Sequence, residues 1–98
     1  MKTHSIVLLL LLLTISALAQ KVPKTGQPLF ESKCARCHGK DGTKGFFGAK
    51  NLQISVLSDA MVFATISDGK SLMPSWKKKL SEAQILSLTD YIKTLRKI

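Results

Sequence analysis

The chemistry in this sequence is concentrated in five residues, Cys34-Ala35-Arg36-Cys37-His38. No other cysteine occurs in the chain, and the second histidine is His4, near the start. A disulfide across two intervening residues closes a tiny, strained loop and stabilises little. A redox-active Cys-x-x-Cys wants a βαβ setting, which the pattern of this chain lacks. A structural zinc ion needs four ligands, and the fourth Cys or His of the chain, His4, falls in an N-terminal segment that reads as a signal peptide. The remaining use is c-type haem attachment. Positions i and i+3 share one face of a helix, so both thiols can bond the two vinyl groups of one porphyrin. The next residue then turns its imidazole under the iron. Cys34 and Cys37 are the expected covalent anchors of one haem c, and His38 an expected axial ligand of its iron.

The second axial ligand decides what such an iron does. A methionine makes a higher-potential electron carrier, whereas an open position makes a ligand-binding or catalytic centre. The candidates are Met61 and Met73. Met61 lies in a stretch that reads as helix, where methionine is commonly core filler. Met73 lies in Asp68-Gly69-Lys70-Ser71-Leu72-Met73-Pro74-Ser75-Trp76, which Gly69 and Pro74 mark as a loop. Pro74 stiffens the backbone directly after Met73, and a weak thioether ligand needs a stiff support. Met73 is the expected ligand.

The elements that position these residues must come from a short chain. Its 98 residues allow one domain. Thirteen of its hydrophobic residues fall in MKTHSIVLLLLLLTISALA, residues 1–19. A basic start, an unbroken apolar run and a small-x-small ending read as a secretory signal peptide. The stretch Ile6–Ala19 has 14 residues, and a membrane span needs about 20. The expectation is a signal peptide over 1–19, one domain over 20–98 and export to the periplasm, with an uncleaved anchor as the alternative. The apolar residues left are few, so the domain needs a staple such as a cofactor. A large multi-substrate enzyme, a transporter and a repeat array are excluded. Residues 20–98 carry a formal +8. Export and sparse aromatics argue against nucleic acid, which leaves an acidic protein or an anionic membrane surface.

Cys34-x-x-Cys37-His38, followed 35 residues after His38 by Met73-Pro74 with Gly69 four residues before Met73, resembles a small bacterial mono-haem cytochrome c of the class I, mitochondrial-like family. The resemblance runs from Gly26 to Leu95. It implies an all-α fold in which three main helices wrap one covalently attached haem with His and Met ligands. It also implies a close crossing of the first and last helices, with Gly26 and Phe30 meeting Leu88 and Tyr91. A first helix is expected from about Gly26 to Cys37, with Thr25 as a cap and Pro28 in its first turn. A basic, flexible loop with Gly39, Gly42, Gly45 and Gly48 follows. In the family a carbonyl near its end accepts the proton on the far nitrogen of the ligand histidine. Lys50 stands where a proline is common, which leaves that acceptor unassigned. Phe46 or Phe47 is expected to pack on the haem edge.

A middle helix is expected from about Asp59 to Ser67, capped by Ser58, with Met61, Phe63, Ala64 and Ile66 toward the haem. The last helix is the best marked. Ser81-Glu82-Ala83-Gln84 is a capping box, and Leu80 with Ile85 forms a hydrophobic staple. Ile85, Leu88, Ile92 and Leu95 follow helical spacing, and Arg96 and Lys97 suit its negative end.

The implied function is a soluble or peripheral electron carrier that shuttles single electrons between exported or membrane-bound redox partners, and not an enzyme. The alternatives are a haem-bearing accessory subunit of a larger periplasmic oxidoreductase, or a haem sensor or enzyme with a labile Met ligand. The carrier is expected to be a monomer. Lys33, Lys40, Lys44, Lys70 and Lys77-Lys78-Lys79 form an expected basic rim for an acidic docking surface, with weak contact to anionic membrane as a further expectation. Trp76 is a candidate donor to a haem propionate.

Overall fold

The computed structural model describes residues 26–98. The expected signal segment 1–19, the start at Gln20 and the cap at Thr25 lie outside the described residues. Four helices follow one another: α1 over Gly26–Lys33, α2 over Ala35–His38, α3 over Asp59–Asp68 and α4 over Glu82–Thr94. Among the described residues the only extended pairing is a single bridge between Lys70 and Met73. The fold is all-α, as expected.

The first expected helix is interrupted. Cys34 distorts the helix without leaving the right-handed helical region, at φ −114° and ψ −33°, and α2 restarts at Ala35. The break is small, because the Cys34 carbonyl still accepts from the amides of Cys37 and His38 at 3.3 and 3.0 Å. Ser58 caps α3, its hydroxyl accepting from the Met61 amide at 3.2 Å. Both halves of the predicted capping box form on α4. The Gln84 amide donates to the Ser81 hydroxyl at 3.1 Å, and the Ser81 amide donates to the Gln84 side-chain oxygen at 2.9 Å.

The buried apolar core is Phe30, Cys34, Val62, Ile66, Ile85, Leu88 and Ile92. It lies in two seams, α1 on α4 and α3 on α4. The first seam depends on Gly26. A Cβ there would lie 2.2 Å from the Ser87 carbonyl oxygen and 2.7 Å from Tyr91 Cβ. One turn along, the Phe30 and Tyr91 rings stand 5.3 Å apart at 50°, within the range of favourable tilted pairs. The crossing implied by the resemblance is therefore present.

Two expectations are corrected. The inward face of α3 is Val62, Ile66 and Ser67, whereas Met61 is 55 % exposed and Ala64 is exposed. The reason is the direction from which α4 covers the helix: it selects the i, i+4 pair 62 and 66. Arg96 and Lys97 do not extend α4, which ends at Thr94. They turn back instead, the Arg96 guanidinium donating to the Leu57 carbonyl at 2.5 Å and the Lys97 amide to the Gln53 carbonyl at 2.8 Å.

Candidate cofactor site

Between α2, the loop 46–50, the end of α3 and the loop 70–76 lies a cleft of about 450 Å³, the size range of small-molecule and cofactor pockets. Cys34, Cys37, His38 and Met73 all line it; Met61 does not. Cys34 and Cys37 are free thiols, the first buried and the second half-buried. Burial, with a smaller contribution from neighbouring Cys37, pushes the Cys34 thiol up to about 11.

His38 is oriented by the backbone. Its Nδ1 lies 3.0 Å from the Lys50 carbonyl oxygen. A carbonyl can only accept, so Nδ1 carries the proton and Nε2 presents its lone pair. The acceptor left unassigned by the sequence is thus Lys50. Ala49 is extended at φ −57°, ψ 133°, which is the backbone a following proline also requires. Lys50 therefore offers its carbonyl from a backbone that would also admit a proline.

The loop before Lys50 is hydrogen-bonded. The Lys44 amide donates to the His38 carbonyl at 2.7 Å and the Leu52 amide to the Gly42 carbonyl at 2.9 Å. A 3-10 turn over Phe46–Gly48 sits within it. Both Phe46 and Phe47 line the cleft, their rings 4.3 Å apart.

The loop carrying Met73 is pinned. Lys70 and Met73 exchange backbone hydrogen bonds of 3.1 and 2.9 Å. Behind them the Trp76 amide donates to the Ile66 carbonyl at 3.0 Å and the Lys77 amide to the Ser67 carbonyl at 3.2 Å. The Ser75 hydroxyl also donates to the Ser67 carbonyl, at 2.5 Å. Gly69 permits the tight return: its φ is +76°, and a Cβ there would lie 2.7 Å from the Met73 carbonyl oxygen. Trp76 is half-buried and lines the cleft, and Lys79 lies over its ring at 5.5 Å.

The only non-glycine residues with positive φ among those described are Phe47 at 53° and Ser71 at 54°. Both line the cleft, and such backbone strain gathers at functional sites. No signal in the sequence marks either one.

The charged residues lining the cleft are Lys33, Lys50 and Lys70, without a carboxylate. Of the expected rim, Lys33 and Lys70 are in place, and Lys44 sits over the Phe46 ring at 5.1 Å. Lys77 pairs with Asp68 at 3.3 Å. Lys40, Lys44, Lys77, Lys78 and Lys79 do not line the cleft, and Lys50 is an addition that sequence reasoning missed. Among the described residues no cluster of His, Cys, Asp or Glu could hold a metal ion by itself. Two thiols, one imidazole with a free Nε2, a thioether and a cationic mouth nevertheless fit a haem that brings its own four ring nitrogens and two carboxylates.

Comparison with known proteins agrees with this chemistry. A family model described as cytochrome c oxidase, cbb3-type, subunit III matches residues 21–92. The chain is similar to the cbb3-type cytochrome c oxidase subunit FixP of Azorhizobium caulinodans, 38 % identical over 79 residues, covering 74 % of this chain and 27 % of that protein. It spans about a quarter of the length of the oxidase subunits it matches. Over most of their length it is similar to two small proteins. Cytochrome c6 of Leptolyngbya boryana is 35 % identical over 68 % of this chain and 85 % of its own. Cytochrome c-553 of Helicobacter pylori is 30 % identical over 86 % and 93 %. The chain belongs to the cytochrome c family, whose members hold covalently attached c-type haem and transfer electrons.

Proposed function

We propose that the protein is an exported carrier of single electrons, with one haem joined to Cys34 and Cys37 and its iron held between His38 and Met73. One observation supports this reading above the others: these four side chains line one cleft, with His38 Nδ1 on the Lys50 carbonyl. The haem supplies an iron that cycles between ferric and ferrous forms. The rest is the work of the chain. The Lys50 carbonyl fixes the imidazole tautomer and raises its basicity. The pinned Met73 loop holds a weak ligand in place, so little reorganises when the charge changes. The aromatic and aliphatic lining disfavours added positive charge and excludes water. Trp76, on the cleft wall, is the proposed donor to a propionate. Lys33, Lys50 and Lys70 make the mouth positive, which steers an acidic partner toward it.

The test is the absorption spectrum of ferric and ferrous protein exported with the haem-attachment machinery. A long-wavelength methionine-to-iron charge-transfer band is expected, and Met73→Ala removes it while Met61→Ala does not. A high-spin ferric spectrum in the unaltered protein would refute the His/Met assignment and favour a sensor or enzyme.

Similarity to part of FixP supports a second reading, an accessory haem subunit bound to a larger oxidase. Purification of the native protein separates the two: a soluble monomer supports the carrier, and tight co-purification with other subunits supports the accessory role.

A further inference from the structure

A second depression lies between α3 and α4, a groove of about 360 Å³ that shares no residue with the cleft. Ala60, Phe63 and Leu86 give it an apolar lining. Leu86 is 54 % exposed and Phe63 half-buried, so the fold itself leaves both with apolar surface to cover. Thr89 also lines it, but its hydroxyl is spent on the Ile85 carbonyl at 2.9 Å. The charged side chains of the groove are Asp59, Glu82 and Asp90, and no lysine or arginine lines it. These are three of the six carboxylates in a chain of net charge +9. The cleft has the opposite character, with lysines and no carboxylate.

Helix starts account for only part of this clustering. Asp59 opens α3 and Glu82 opens α4, where the dipole favours a carboxylate. Asp90 stands past the middle of α4, where the dipole offers it nothing. Among the described residues Lys93 pairs with Asp59 at 2.9 Å, whereas Glu82 and Asp90 form no ion pair. Glu82, Leu86 and Asp90 follow one another at four-residue spacing and so form one stripe along α4. Eight residues of helix separate the two carboxylates, about 12 Å. The stripe sets an aliphatic contact midway between two unpaired negative charges.

That order selects the occupant. Its complement is a helix with a cation, an aliphatic residue and a cation at the same four-residue intervals, laid along the groove. The carboxylates repel nucleic acid and anionic headgroups. Among the described residues no acidic cluster could hold a metal ion. A second copy lacks the complement as well, because each described helix of this chain carries at most one lysine or arginine.

We propose that the groove between α3 and α4 docks a cationic amphipathic helix of a partner protein. The docking goes beyond the electron-carrier reading and does not depend on the iron ligands. Groove and cleft share no residue, so one protein is held at the groove while electrons pass to another at the cleft.

The test is titration of the nitrogen-15-labelled ferrous holoprotein, at low salt, with a capped helical peptide of alanine and glutamine that carries lysine, leucine and lysine four residues apart. One control peptide has glutamine for the leucine, and another has glutamate for both lysines. Saturable amide shifts are expected at Phe63, Leu86 and Asp90, with none at Lys33 or Lys50. Glu82→Gln/Asp90→Asn weakens binding about fivefold or more, and Leu86→Ser about fivefold. All three side chains are exposed, so the haem spectrum and far-UV circular dichroism of each variant stay those of the parent. Absence of shifts at the groove overturns the proposal. So does equal binding by either control peptide, or full binding by the double variant. A dimer in sedimentation equilibrium that Leu86→Ser abolishes would assign the groove to a second copy. Nuclear Overhauser contacts between residues 20–25 and Leu86 in the free protein would assign it to the chain's own start; either result overturns the partner helix.

Discussion

Replacing Gly26 by alanine tests the seam that holds the two cysteines against the rest of the molecule. The added carbon would lie 2.2 Å from the Ser87 carbonyl oxygen and 2.7 Å from Tyr91 Cβ. Ordinary contact needs roughly 3.5 Å, so α1 and α4 must separate locally by about 1 Å. Ser87 lies inside α4, and its carbonyl cannot rotate away without breaking helix. A gap of that size forfeits a quarter to a half of the contact energy at its edges. Phe30 and Leu88, both at 0 % exposure, sit in that seam. Fully burying such a side chain is worth about 1.5–3 kcal/mol. The expected loss is therefore about 2–3 kcal/mol, in line with the usual cost of overpacking. In a domain of this size that lowers Tm by about 10–20 °C. Gly26→Leu should cost more. The assay is thermal unfolding of the ferric holoprotein followed by far-UV circular dichroism, with exposed Gln27→Ala as the neutral control. A Gly26→Ala midpoint within about 3 °C of the parent would refute the close crossing.

Other outcomes follow from single contacts. Ser81→Ala removes one half of the capping box and should cost about 1 kcal/mol, read as a lower midpoint in the same unfolding assay with an unchanged haem spectrum. Lys50→Pro keeps the carbonyl that orients His38. It should fold and retain the methionine–iron band, while loss of one solvent-screened charge lowers the midpoint potential by an amount on the order of 20 mV; a lost band would mean that the carbonyl had moved. In haem-free protein under conditions where far-UV circular dichroism shows the helices formed, Cys34 should alkylate more slowly than Cys37. With its pKa pushed to about 11, only about one Cys34 in a hundred is thiolate at pH 9, and mass spectrometry after a short iodoacetamide pulse reads the order. Equal rates would contradict the burial of Cys34. Finally, electron transfer to an acidic redox partner should slow as ionic strength rises, since Lys33, Lys50 and Lys70 stand at the mouth of the cleft.

What the sequence made legible was whatever depends on local rules. The capping box at Ser81, the cap at Ser58 and the turn at Gly69 are short-range devices, and each stands where its residues predicted. The placing of Cys34 and Cys37 on one cleft was legible for the same reason, because i and i+3 decide which side chains share a face. Orientation between elements was legible only where the resemblance supplied it, at the crossing of α1 on α4. Four residues of α3 were expected toward the haem, yet the α3 residue that lines the cleft is Thr65, while α4 covers the helix from the side of Val62 and Ile66, a fact set by tertiary packing. Arg96 and Lys97 suited the end of a helix by charge, but the carbonyls of Leu57 and Gln53 offered them hydrogen bonds. The four glycines spaced by three were read as a flexible loop. Each takes a positive φ, and together they turn the chain tightly enough to return Lys50 to His38. Backbone conformation of that kind leaves composition as its only trace.

The site is held by two different kinds of force, and the difference matters for how it works. Cys34 is part of the buried core, in contact with the seam of α1 and α4. Moving it means disturbing Phe30, Ile85 and Leu88, each 2 % exposed or less. Met73 is only partly buried, and its loop is fixed to α3 by hydrogen bonds from Trp76, Lys77 and Ser75. Ser75 and Lys77 are exposed, and water can replace their bonds at a net cost of roughly 1 kcal/mol each. Local opening is drawn from regions of this type, with few buried apolar contacts and solvent-accessible hydrogen bonds. The anchored side of the cleft therefore shares the stability of the whole fold, while the methionine side has a smaller stability of its own. On the proposed assignment, such a protein would lose Met73 from the iron before it loses its helices, and the strength of the Trp76, Lys77 and Ser75 bonds would set how far apart those two events lie.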